Sequence, residues 1–141
     1  MTKEEMVQLL RDDLGREMSH MIFYLKNSAT LTGLHRQEIR ELFLEEAASE
    51  MKHVHEFQDV ILGLDGSIDV VMPETPMLFV NPVDAVRYAY DMETEVVSNY
   101  TERIKQAQEL GGVDGLFIEV FLEEQVLHSR TDADNFKLLA P

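Results

Sequence analysis

The sequence predicts an all-α chain: four long helices packed as a bundle, with one long crossover between the second and the third. Three observations carry that expectation. Apolar residues recur at three- and four-residue steps through four separate stretches. Glycine- and proline-bearing breaks part these stretches, and the middle break is much the longest. Each stripe also carries a carboxylate or an imidazole among its apolar residues.

The first helix opens on Thr2 followed by Glu5, a capping-box pattern in which each residue can satisfy the other's backbone N–H. Leu10, Leu14, Glu17, Met21 and Tyr24 then share one face, and the helix is expected to run to about Ala29. Thr30 to His35, which holds Gly33, reads as a short connection. The second stripe is Ile39, Phe43, Glu46, Glu50, His53, Phe57 and Ile61, stopping near Gly63 to Gly66. From Gly66 to Pro82 the pattern turns irregular, with Pro73, Pro76 and Pro82 around the apolar pieces Val70-Val71-Met72 and Met77-Leu78-Phe79-Val80. Pro82 suits the first turn of a third helix, whose stripe is Val86, Ala89, Glu93, Val97, Tyr100, Ile104 and Ala107 and which ends before Gly111-Gly112. Asp114 is the expected cap of the fourth, where Phe117, Phe121, Glu124 or Gln125, His128, Asp132 and Phe136 recur to the end of the chain. A short first connection makes the first two helices antiparallel, and a long crossover lets the second and third run parallel.

Composition sets the outer limits. The 141 residues, 45% of them apolar, suit one domain over 1–141 with a continuous core. The chain has no cysteine, which excludes disulfides and thiolate metal sites, so any metal must take nitrogen and oxygen ligands. The start, MTKEEMVQLL, lacks the basic, then apolar, pattern of a signal peptide, and no apolar run approaches the roughly 20 residues of a membrane span. A soluble cytoplasmic protein is therefore expected. Twenty-seven acids against twelve Lys and Arg give a net charge of −15, which repels nucleic acid and anionic membranes and draws in cations.

The chemistry lies in four places on the stripes: Glu17, Glu50 with His53, Glu93, and Glu124 or Gln125 with His128. A buried acid costs several kcal/mol unless it is paired, protonated or bound to a cation. Four converging sets form the ligand inventory of a di-iron carboxylate site, and Glu50 and His53 stand at the i, i+3 spacing that points both one way. On the fourth helix Gln125 and His128 are three apart and Glu124 and His128 four apart, so either Glu124 or Gln125 can face inward. Glu46, one turn before Glu50, fits a position beside the ligands or on an entry path, or an exposed helical acid. His20, three after Glu17, reads as a half-buried, hydrogen-bonded histidine or an added ligand; His35 and His55 carry no assigned role.

On Glu17 and Tyr24, the run Ser49-Glu50-Met51-Lys52-His53, Glu93 and His128, the chain resembles the ferritin-like superfamily, and within it the bacterioferritins and bacterial ferritins. The resemblance implies a ferritin-like four-helix bundle and a ferroxidase that oxidises Fe(II) with dioxygen or peroxide. The ferric mineral would be stored in a homo-oligomeric cage built from dimers. It implies a first iron on Glu17, Glu50 and His53, and a second on bridging Glu50 with Glu93 and His128. Tyr24 would be the nearby aromatic that donates an electron or hydrogen-bonds a ligand. Gln125 departs from the bridging Glu of bacterioferritins, which bears on whether iron is a resident cofactor or passes through. Met51 stands where bacterioferritins carry an axial haem ligand, so haem is a further expectation beside ordinary methionine packing. Two other readings use the same pattern: a small di-iron oxidoreductase like a rubrerythrin peroxidase, though without its cysteine-rich domain, and a non-catalytic helical assembly protein.

Overall fold

A computed structural model describes residues 1–73 and 77–141; Pro76, expected in the crossover, lies outside the described residues. Four helices follow in chain order: α1 (Lys3–Thr30), α2 (Arg36–Gly63), α3 (Pro82–Leu110) and α4 (Gly112–Leu139), and the described residues hold no strand. Among the described residues, no helix is long and apolar enough to cross a membrane. The chain forms two compact units, one of Val7–Ala85 and one of Met1–Met6 with Val86–Pro141.

The capping box at the start of α1 is formed as expected. The Thr2 amide donates to Glu5 Oε2 at 3.1 Å, and the Glu5 amide donates to Thr2 Oγ1 at 3.1 Å. In the Val7–Ala85 unit, α1 buries Leu10, Leu14, Phe23 and Tyr24, and α2 buries Phe43, Phe57 and Ile61. Phe23, Tyr24 and Phe43 pack as a cluster of tilted and edge-on rings with centroids 5.2 to 5.8 Å apart. Each large apolar side chain removed from water contributes roughly 1.5–3 kcal/mol, which is what holds the two helices as a hairpin.

The crossover lies along α1 and advances in the same direction. Arg11 Nη1 reaches the Ser67 carbonyl at 3.5 Å, and a Cβ on Gly15 would stand 2.6 Å from the Val71 carbonyl oxygen, so only glycine lets the crossover pass so close. Farther along, Asn27 Nδ2 donates to the Met77 carbonyl at 2.8 Å while its Oδ1 accepts from the Phe79 amide at 2.7 Å. Thr30 Oγ1 donates to the Phe79 carbonyl and the Thr32 amide to that of Val80. Side chains on α1 thus supply the backbone partners that an extended segment without a neighbouring strand needs.

α3 begins at Pro82, still within the first unit, with Asn81 Oδ1 accepting from the Val83 and Asp84 amides, and from Val86 on it belongs to the other. Gly111 alone separates α3 from α4, and Gly111 and Gly112 take φ of 68° and 66°, a region that glycine enters without strain. The fourth helix starts earlier than expected. Gly111 occupies the cap position, and Asp114 lies inside the first turn. The far ends of this antiparallel pair are tied by Arg87 Nη2 donating to the Pro141 carbonyl at 3.2 Å.

Candidate metal centre

Within the α1–α2 unit the sequence pattern becomes a cluster. Glu17 comes from the middle of α1, and Glu50 and His53 from successive turns of α2, all three buried. His53 Nδ1 lies 3.6 Å from Glu17 Oε2 and 3.4 Å from Glu50 Oε2. One donor atom from each residue falls within 4.8 Å of the others. A first-row ion about 2 Å from each donor holds its ligands roughly 3–4 Å apart, so a small closure brings this trio onto one cation. Two carboxylates and an imidazole form a mixed oxygen and nitrogen set that suits Fe(II) and its borderline neighbours.

The electrostatics favour charge on Glu17. Burial is the largest influence and raises its pKa; hydrogen bonds from Glu50 and His53 and the charges of His20 and His53 together outweigh it, holding the carboxyl down to about 2 from an ordinary 4.5. A hydrogen bond between two carboxyl groups needs a proton between them, so a cation binding here must displace that proton.

Tyr24, two turns beyond Glu17 on α1, is fully buried with its ring edge-on to Phe23 and Phe43. Met51 stands on α2 with half its surface exposed. Glu46 is buried one turn before Glu50, His20 is half-buried, His35 is exposed 3.6 Å from Glu38, and His55 is exposed.

In the α3–α4 unit, Glu93 is fully buried. On α4 the choice left open by the sequence resolves to Gln125, which is buried, whereas Glu124 and His128 are both exposed. The buried face runs through Phe121, Gln125, Ser129 and Phe136. Asp132, part of the expected stripe but given no role, is half-buried, and one of its carboxylate oxygens lies within 4.8 Å of one from Glu93. Its signal was the seven-residue step from Gln125, two helical turns along one face.

Comparison with known proteins places the fold. No curated protein matches the chain in sequence. Among solved structures, ferritin like, diiron-carboxylate proteins from Bacillus anthracis str. Ames superpose with a TM-score of 0.88 at 25% identity, over 99% of this chain and 97% of that one. Mycobacterium tuberculosis bacterioferritin, BfrA, gives 0.82 at 19% identity, over 96% of this chain and 83% of that one. A dodecameric thioferritin, the bacterioferritin-related protein from Bacteroides fragilis, gives 0.82 at 14% identity with the same coverage, 96% and 83%. These likenesses establish the ferritin-like all-helical fold with its long connection between α2 and α3. A family model described as a ferritin-like domain matches residues 7–139, and the chain belongs to that ferritin family.

Proposed function

We propose that this protein is a ferroxidase that oxidises Fe(II) to Fe(III) at Glu17, Glu50 and His53 and stores or detoxifies the product within a homo-oligomer. The observation that carries the reading is the burial of two carboxylates and an imidazole with donor atoms within 4.8 Å. Such a set of oxygen and nitrogen donors is suited to a divalent cation.

Fe(II) is the substrate. The surface charge of −15 concentrates it, and Glu17, already ionised, offers the first ligand. Loss of the shared carboxyl proton frees Glu50 to bind, and His53 must offer a neutral nitrogen. Two Fe(II) ions each give up one electron, and dioxygen takes both with two protons to become hydrogen peroxide; peroxide as the oxidant takes the same two electrons and two protons to become water. Tyr24 is the proposed source of an electron or of a hydrogen bond to a ligand, being the buried phenol on the same helix as Glu17. In its own unit Glu93 is a buried carboxylate and Gln125 a buried neutral amide. Met51 stays outside the proposal, since its half-exposed thioether serves a contact with another chain as readily as a haem. The dodecameric description of the Bacteroides fragilis neighbour supports the homo-oligomer, and the absence of cysteine suits a reducing cytoplasm.

A second reading, a small di-iron oxidoreductase, has one observation behind it. The chain spans 97% of the Bacillus anthracis diiron-carboxylate protein but 83% of the bacterioferritin. Aerobic Fe(II) loading of metal-free protein, followed on a sizing column with iron and protein detected together, separates the two. Iron far above about two per chain in a large assembly is expected, whereas saturation at about two in a small oligomer supports the oxidoreductase. Glu50→Ala should abolish oxidation in either case, and full activity in that variant would overturn both.

A further inference from the structure

The outer face of α4 is apolar over its first half. Val113, Leu116, Phe117, Val120 and Leu127 lie along one side of the helix, each 49 to 85% exposed, with Glu124 at its edge; beyond them Thr131 and Asp134 precede Leu138 on the same side. The opposite side buries Ile118, Phe121, Leu122 and Phe136. A helix that is apolar on both sides is built to be covered on both.

We propose that the outer stripe of α4 is the contact surface for α4 of a second copy of this chain. Three features single out that occupant. At ordinary side-chain areas the stretch from Val113 to Leu127 opens roughly 550 Å² of apolar surface, at the upper end of what a monomer leaves open and the larger part of the ~800 Å² each partner gives a stable interface. Val113, Val120 and Leu127 fall seven residues apart, the repeat with which one helix packs along another of the same sequence. A two-fold contact also needs only one patch, complementary to itself, and the apolar stretch from Val113 to Leu127 supplies one. A membrane is a poorer occupant, because a chain of charge −15 is repelled by anionic lipid. The same charge makes two copies repel each other at long range, so added salt should tighten the contact.

The test uses the full metal-free chain at micromolar concentration in sedimentation velocity, so iron chemistry does not enter it. Wild-type protein should sediment as an assembly of at least two chains. Val120→Glu with Leu127→Glu should lower that mass at least twofold while helical circular dichroism stays unchanged. If that variant loses its helical signal, Val113→Glu with Leu116→Glu, nearer the helix start, decides in its place. A wild-type monomer, a mass unchanged by the substitutions, or a monomer that instead floats with anionic vesicles would each overturn the assignment.

Discussion

Replacing Glu17 by glutamine probes the charge at the heart of the site in the metal-free chain. Glu17 is only 2% exposed, yet its carboxyl is held down to about 2. A group whose folded pKa lies below its unfolded value stabilises the fold through its charged form. The contribution is complete above about pH 4.5 and is lost as the pH falls toward 2. A depression from 4.5 to about 2, at about 1.36 kcal/mol per unit, corresponds to roughly 3 kcal/mol. In a chain of this size that is a shift in Tm of about 10 °C. The assay is urea unfolding followed by circular dichroism, with chelator present, from pH 2.5 to 7 in wild type and Glu17→Gln. Taking the difference between the two cancels the many other acids that titrate in the same window. The variant should be less stable by roughly 3 kcal/mol at pH 6, and the gap should close between pH 4.5 and 2. A gap independent of pH, or none at pH 6, would refute the picture of Glu17 as the charged member of the cluster.

Two further predictions follow from other parts of the molecule. Asn27→Ala removes the bonds to Phe23, Met77 and Phe79 and leaves the Phe79 amide without its acceptor, so stability should fall by about 2–4 kcal/mol and exchange at that amide should accelerate; unaltered exchange there would show that Asn27 does not hold the crossover. His128→Ala, on an exposed position, should keep Fe(II) oxidation per chain within about twofold, while His53→Ala loses at least about tenfold; an equally deep loss in both would return His128 to the metal chemistry.

Much of α1, α2 and α3 was legible in the sequence because each has a single apolar face. Leu14 and Met21 on either side of Glu17, and Phe43 and Phe57 on either side of Glu50 and His53, leave one phase in which the apolar residues are satisfied. That phase brings the three donors together. On α4 the same reasoning has no unique answer. Phe117 and Phe121 looked like one stripe, but Phe117 is exposed and Phe121 buried, because apolar residues occupy both sides and their spacing does not fix which side turns inward. The periodicity accordingly puts His128 on the inward stripe, and in the structure it is exposed. The hold of Asn27 on the crossover was also hidden. It joins a side chain to backbone some 50 residues away, and such bonds leave no periodic trace in a sequence.

The Gly111–Gly112 turn then has an evolutionary meaning. With almost no slack between α3 and α4, the turn and not the helix pattern sets which residues of α4 face inward. One codon inserted there would carry each side chain one place onward, about 100° around the helix axis. Phe117 would take the place of Ile118 and Phe121 that of Leu122, but Asp114 would fall on Gly115, where a Cβ stands 2.5 Å from the Ala107 carbonyl oxygen, Asp132 on Ala133 and Asn135 on Phe136. At the same stroke Glu124 would replace buried Gln125 and His128 would replace buried Ser129. An acid and an imidazole lie one reading step from the interior, and the length of this turn, with the glycine at 115 and the apolar groups at 133 and 136, is what keeps them outside.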